Sequence, residues 1–575
     1  MVKRSLPRRP SSFSSRRAAA LPGEIETTEI QPFPVGFCRS TEELLGGSDA
    51  RSLLAALDTP SPVSVRFNPY KVQGPSGQRI SGNDPSVNPT GESVVVTGGN
   101  PIDSAPFSQG TDSGGTPLIR PAQLAGNEVP WCRYGYYLPQ RPSFTLDPAF
   151  HAGAYYVQEA GSMFVERIFR QLFEPDTPLR ILDLCAAPGG KTTLLSTLAG
   201  ASGLVVANEV IRQRAGTLVD NVRKWGIGNT LVTNNDPSHF ASLRHYFDLV
   251  LVDAPCSGEG MFRKTPGART EWSEANVKLC AARGRRILGD VWEALRPGGI
   301  LVYSTCTFNV QENEETVEWL ASEYDCEPVD VTADPAWGIV QGEAAGMATF
   351  RFFPHRVQSE GFFAAVLRKG DGRVRVQVPK PRKAIFAPLA RREGEEAARW
   401  VGQPQQMLFQ RVGENIHAYY APQFQAVREI SESLSVLCSG VLCGQLFGGK
   451  LRPEHSLALF HDVSRRQVPV VELSPDEAVA YLRKADISPV RLQEGINLVT
   501  FDGLPLGWIK RIGARSNNMY EGAADRQPVK LEPPFVSLSI LAIFASYVQY
   551  PQHRDRPRVR EQNPSAGADL VQRAG

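Results

Sequence analysis

Six short apolar runs recur between residues 128 and 369, and stretches with helical spacing separate them. They are "RILDLCA" (180–186), "GLVVANE" (203–209), "NTLVTNND" (229–236), "FDLVLVDAP" (247–255), "GILVYSTC" (299–306) and "FFAAVLR" (362–368). Runs this short, bounded by turn residues, read as strands buried on both faces. Strands that alternate with helices need crossover connections, so the pattern predicts an α/β domain with a mostly parallel sheet covered on both faces. In such a sheet ligands bind beyond the C-terminal ends of the strands. The residues just past the end of each run are therefore the ones expected to carry the chemistry.

The rest of the chain divides around this core. A basic, acid-poor tail occupies 1–30, and it lacks the apolar stretch of a secretory signal. An N-terminal domain is expected over 31–150, with a helical stretch at 41–59 and a strand within "SVRFNPY" at 64–70. Residues 72–127 are rich in Gly, Ser, Pro, Asn and Thr, and read as a low-complexity insertion. The catalytic domain is expected over 151–370, a basic linker over 371–390, a separate C-terminal module over 391–525 and an irregular tail over 526–575. The apolar run at 535–548 has 14 residues and contains serines, too short for a membrane span. The nine cysteines contain no metal-type Cys-x-x-Cys pair, so neither a metal nor a disulfide framework is expected, and a cytoplasmic location fits. A net charge of +2 leaves any nucleic-acid surface local.

"DLCAAPGGKTTLL" (183–195) ends like a phosphate-binding loop at Gly190-Lys191-Thr192. The glycine that such a loop needs at its start would fall at Cys185. A P-loop-like NTPase is thus a half-match. The alternative ligand is S-adenosyl-L-methionine. Residues Cys185, Ala186, Ala187, Pro188, Gly189, Gly190 and Lys191 would form the turn at a helix N-terminus, where backbone amides suit a carboxylate. Glu209, Asp236 and Asp253 close three further strands, placed for ribose hydroxyls, adenine and the reacting end. A phosphate loop does not predict that series of acids.

Two cysteines narrow the chemistry. Cys256 comes directly after the fourth run and Cys306 closes the fifth, both at the edge where the ligand is expected. A methyl donor beside a cysteine suggests a pyrimidine. Carbon 5 of cytosine becomes nucleophilic only after a thiolate adds at carbon 6, and expulsion of that thiolate later restores the ring.

At these residues the chain resembles the Sun (Fmu-type) family of RNA cytosine-5 methyltransferases. The matching stretches are "RFNP" (66–69), "HAGAYYVQEAGSM" (151–163), "DLCAAPGGKT" (183–192), "DAPCSGEGMFRK" (253–264), "LRPGGILVYSTCTFNVQENE" (295–314) and "PHRVQSEGFFAAVLRK" (354–369). The C-terminal stretches resemble the extra module of the bacterial 16S ribosomal RNA methyltransferase F subgroup. The resemblance implies a Rossmann-like S-adenosylmethionine-dependent sheet, a small N-terminal α+β RNA-facing domain and a C-terminal α+β (PUA-like) RNA-binding module. It implies Cys306 as nucleophile, Cys256 as the residue that helps release the adduct, and Asp253 as a contact to the cytosine edge. It casts Lys191 as a pocket residue rather than a phosphate ligand.

The RNA partner is expected to be ribosomal RNA or the small ribosomal subunit, with tRNA as the alternative substrate, and the protein to be a monomer. Extruding the target base must be offset by contacts elsewhere. Arg263, Lys264, the basic residues at 368–383, and Lys510, Arg511 and Arg515 are the expected phosphate contacts. Trp508 and Tyr520 are the expected stacking partners. A different class, a non-catalytic RNA-binding assembly factor, has no chemical need for both cysteines.

Overall fold

The apolar runs assemble into a ten-stranded sheet in the computed structural model, which describes residues 31–72, 124, 126–265, 267–371, 385–485 and 487–521. The basic tail, nearly all of the insertion, linker residues 372–384 and the C-terminal tail lie outside the described residues. In spatial order the strands are Val340–Ala344, Met347–Phe352, Phe362–Lys369, Leu295–Thr305, Phe247–Asp253, Arg180–Asp183, Leu204–Asn208, Thr230–Thr233 and Val436–Ser439. Cys326–Pro328 pairs with Phe362–Lys369 beside this path.

The five central strands are parallel. Their successive residues face opposite ways, as the pleat requires. Ile181, Val205, Leu249, Leu251 and Val302 enter one core with helices Val165–Leu172 and Gly190–Ala199. Leu182, Val206, Val250, Val252 and Leu301 enter the other with helix Glu274–Trp292. Each such side chain contributes about 1.5–3 kcal/mol on burial, which fixes the register of the sheet and so the place of each strand end.

Two features depart from the sequence reading. The sixth run, Phe362–Lys369, is antiparallel to Leu295–Thr305. Apolar periodicity gives a strand but not its direction. The C-terminal module is also not separate. Its strand Val436–Ser439 completes the catalytic sheet, antiparallel to Thr230–Thr233, and its helix Phe424–Ser433 puts Val427 and Ile430 into the same core. This covers an edge strand whose backbone groups would otherwise lack partners.

The N-terminal part has two helices, Val35–Leu45 and Gly47–Leu57, where one helical stretch was expected. Its three-stranded sheet runs Gly135–Leu138, Val63–Phe67, Tyr155–Val157. The C-terminal part adds a five-stranded and a four-stranded sheet. The N-terminal strands share a core with the four-stranded sheet, joining Val65, Phe67 and Tyr155 to Val471, Val499 and Ile509. At this junction Lys71 Nζ donates to the carbonyls of Ala152 (2.8 Å) and Lys224 (2.7 Å). Tyr420 Oη lies 3.0 Å from His461 Nε2, and Tyr520 Oη lies 3.2 Å from His151 Nδ1. Among the described residues no helix is long and apolar enough to cross a membrane.

Candidate active site

Four carboxylates stand in a row along the C-terminal edge of the parallel strands. Asp253, Asp183, Glu209 and Asp236 end or follow four neighbouring strands. Asp183 is fully buried; its Oδ2 accepts from Thr192 Oγ1 at 2.6 Å, while its Oδ1 has no partner. Burial pushes its carboxyl up to about 7, and the charges of Asp253 and Glu209 add to that. Glu209 is buried too, accepts from the amide of Ile211 at 2.8 Å and lies 3.4 Å from Arg214. Asp236 caps the turn Pro237–Ser242; burial opposes its charge, but the Ser238 hydroxyl and amide hold its carboxyl low.

The glycine-rich turn runs into helix Gly190–Ala199 as expected. The carbonyls of Ala187 and Pro188 accept from Arg214 and Asn221, each at 2.8 Å, and Cys185 and Ala186 complete the turn. Lys191 Nζ is 2.9 Å from Asp253 Oδ2. Burial works against its charge, but Asp253, Asp183 and Cys306 carry its pKa above the ordinary value. The one cation of the loop is therefore already paired. A triphosphate would face four acids with no free lysine, which removes the NTPase reading on electrostatic grounds. S-adenosylmethionine is cationic at sulfur and nitrogen and carries a diol, and it suits these acids. The unpartnered Asp183 Oδ1 is an acceptor awaiting such a donor.

The two cysteines meet here. Cys256 Sγ and Cys306 Sγ are 3.1 Å apart, both free and half-buried, on loops from adjacent parallel strands. The Cys306 amide donates to Cys256 Sγ at 3.3 Å. Its hydrogen bond to Cys306, then burial, pushes the Cys256 thiol well up. Cys256 thus stays protonated and can donate its S–H to the Cys306 sulfur. Asp253 Oδ1 accepts from Ser304 Oγ at 2.8 Å, so the carboxylate is fixed between Lys191 and Ser304.

Two buried glutamates bind the cysteine loops to each other. Glu312 accepts from Ser257 N (2.7 Å), Ser257 Oγ (2.5 Å) and Asn309 Nδ2 (2.6 Å). Glu259 accepts from the amides of Phe308 (2.9 Å) and Asn309 (3.0 Å) and from Trp272 Nε1 (3.0 Å). Gly260 closes the contact: a side chain there would come within 2.7 Å of the Cys306 carbonyl, so only glycine allows this approach. Arg66 is buried and ties the N-terminal strand to the cofactor helix, through Gln158 Oε1 (2.8 Å), Thr193 Oγ1 (2.6 Å) and the Gly190 carbonyl (3.2 Å).

Sequence reasoning assigned no role to Arg66, Gln158, Asp183, Glu259, Asn309 or Glu312. All lie within the matching stretches, but a motif does not say which of its polar residues point inward.

The expected RNA contacts fare unevenly. Arg263 is not one: its Nε is 3.0 Å from Glu360 and its Nη2 donates to the Ser359 carbonyl at 2.6 Å, with 6% of the side chain exposed. Lys369 is buried on the carbonyls of Trp292 and Leu295. Arg511 is spent on the Leu492 carbonyl (2.6 Å) and the Gly513 carbonyl (2.9 Å). Trp508 is fully buried and donates to the Glu454 carbonyl, and Tyr520 is buried against Tyr481 and His455, so neither ring offers a stacking face. That strand is buried on both faces from Leu504 to Ile509, with Trp508 in one core and Ile509 in another. Lys264, Lys510 and Arg515 are exposed.

Comparison with known proteins matches three family models along the chain. Residues 170–368 match the 16S rRNA methyltransferase RsmB/F model, 116–160 the N-terminal domain of 16S rRNA methyltransferase RsmF, and 468–521 the methyltransferase RsmF PUA domain. Ribosomal RNA small subunit methyltransferase F of Klebsiella pneumoniae (strain 342) is 35% identical over 422 residues, 70% of this chain and 85% of that protein. The protein of the same name from Erwinia tasmaniensis is 34% identical over 421 residues, 70% and 86% of the two chains. The crystal structure of NSun6 from Pyrococcus horikoshii with SFG is similar at 21% identity, covering 59% of this chain and 99% of that one, with a TM-score of 0.42.

Proposed function

As the chain belongs to the RsmB/F family of 16S rRNA methyltransferases, we propose that it methylates carbon 5 of a cytosine in 16S ribosomal RNA through a covalent adduct at Cys306. The observation that carries this reading is the pair of thiols 3.1 Å apart beside the Lys191–Asp253 ion pair. Held by Asp183, Glu209, Asp236 and the turn 185–191, S-adenosylmethionine supplies an electrophilic methyl group.

The chain's own residues do the rest. Cys306, with the Cys256 S–H as hydrogen-bond donor to its sulfur, adds that sulfur to carbon 6 of the cytosine as its own proton passes to N3. The ring becomes enamine-like and carbon 5 nucleophilic. Asp253 faces the base edge and supports the proton that N3 takes up. Lys191 holds Asp253 in place. After the methyl group is in place, the C5 proton passes to water, the electron pair it leaves expels the Cys306 sulfur, and that sulfur takes back the N3 proton, with Cys256 assisting release. Lys264, Lys510 and Arg515 remain the phosphate contacts of this reading. Nine unpaired cysteines suit the cytoplasm, where we place the protein.

The test is bisulfite sequencing of unmodified 16S rRNA after incubation with protein and S-adenosylmethionine. Wild type yields one or more protected cytosines. Cys306→Ala yields none, and Cys256→Ala accumulates a protein–RNA adduct stable to denaturing gels. Protection of tRNA alone would move the substrate to tRNA, and full activity of Cys306→Ala would end the covalent mechanism.

A further inference from the structure

In the C-terminal five-stranded sheet, Val441–Phe447 and Lys450–Pro453 form a hairpin turned by Gly448 and Gly449. Both glycines have positive φ, 57° and 78°, and a side chain added at either would meet nothing within 4 Å. Two consecutive left-handed residues make the turn whose twist matches that of the strands. The glycines therefore serve the backbone, and the tip stands clear of its surroundings.

The register pairs Phe447 with Lys450 and Gln445 with Arg452. Paired residues share a face of the ribbon, as do residues two apart. Gln445, Phe447, Lys450 and Arg452 thus form one face, while Leu446 and Leu451 turn to the core that holds Trp400 and Val441. Phe447 is 56% exposed, and Lys450 and Arg452 are exposed beside it.

Neither cation has an ion pair among the described residues. The acids of the adjoining helix Arg391–Ala398 are taken: Glu393 by Arg411, Glu395 by Arg391, and Glu396 by Arg399 and the Leu451 amide. The neighbouring turn carries one exposed acid, Glu414, against two cations. An exposed ring beside unpaired cations adds nothing to the packing of this sheet, and its chemistry matches a nucleic-acid strand: a π-face for a base and charges for phosphates.

We propose that this hairpin is an RNA contact, with Phe447 stacking on an unpaired base and Lys450 and Arg452 taking flanking phosphates. The proposal rests on the reading of the chain as an RNA methyltransferase and extends it. The hairpin lies outside all three matched segments, and on a different sheet from Lys510 and Arg515. Lys450 and Arg452 are two residues apart, about 7 Å along the strand, which separates two contacts rather than doubling one. Stacking of this kind tolerates any base, so the hairpin adds affinity and placement while base choice stays with the thiol site.

The experiment measures binding of the full-length protein to protein-free, transcribed 16S rRNA between 50 and 200 mM salt. The Lys450→Gln/Arg452→Gln double variant is expected to bind about tenfold more weakly, with the log–log salt slope reduced by about 1.4, the share of two single-strand phosphates. Phe447→Ala is expected to bind about tenfold more weakly with the slope unchanged. Turnover at saturating RNA stays at the wild-type level in both. Wild-type affinity and slope in both variants would overturn the proposal. A loss seen only with whole small subunits would overturn it in favour of a protein partner, and a changed sedimentation coefficient in favour of a second copy. Failure of the underlying function looks different: wild type itself then forms no 5-methylcytosine in any RNA.

Discussion

Replacing Glu312 with glutamine keeps the shape of the side chain and removes its charge. Glu312 is 1% exposed, and burial pushes its carboxyl from 4.5 to about 7, against hydrogen bonds from Ser257 and Asn309 and with the help of the charge on Glu259. An acid with a raised pKa holds its proton more tightly in the folded state than in the unfolded chain. Its contribution to stability is complete below pH 4.5 and is lost as pH rises through 7. At 1.36 kcal/mol per pK unit, the wild type loses about 3 kcal/mol across this window. Glutamine does not titrate and loses nothing. The stability difference between the two proteins should therefore shift by about 2–3 kcal/mol towards the variant from pH 5 to pH 8. Asp183 and the buried histidines titrate in both proteins and cancel in the difference.

Urea unfolding of both proteins at each pH reads this shift directly. Activity runs the opposite way. At pH 8 the wild-type carboxylate accepts from the Ser257 amide, the Ser257 hydroxyl and Asn309, whereas the glutamine amide group sets donor against donor at one of these contacts. A hydrogen bond to a charged acceptor contributes about 1.5–3 kcal/mol, so a loosened clamp should slow methylation roughly 10- to 100-fold. Parallel pH–stability curves for the two proteins, or full turnover by the variant, would refute the reasoning.

Lys191→Met leaves Asp253 with Ser304 as its remaining partner and should cut turnover by about 100-fold, roughly 3 kcal/mol of activation energy, while RNA affinity measured by filter binding barely moves. Arg66→Met removes three hydrogen bonds from a buried cation and should lower the unfolding free energy by about 2–4 kcal/mol, checked by urea unfolding. Burial holds His151, His455 and His461 down at about 4 at the junction of the N-terminal, catalytic and C-terminal parts. The unfolded chain binds their protons near pH 6.5, so stability should fall as pH drops from about 6.5 to 4, and thermal melts across that range should show it.

Much of the site was legible in the chain itself. The apolar runs placed the five parallel strands, and the acids, glycines and cysteines at their ends had to land on one sheet edge, because every parallel strand ends on the same side. Residue type then narrowed the chemistry: a sulfur nucleophile beside carboxylates suits a cationic methyl donor and a pyrimidine. Only the fold showed that Lys191 is paired with Asp253, that Arg263 and Arg511 are consumed by internal contacts, and that Trp508 is core. Only the fold brought Glu259 and Glu312 beneath both cysteine loops and added Val436–Ser439 to the catalytic sheet. These depend on which way a polar side chain points and which distant strand arrives beside it. Local periodicity and spacing carry neither quantity, since both are set by the packing of segments far apart in the chain.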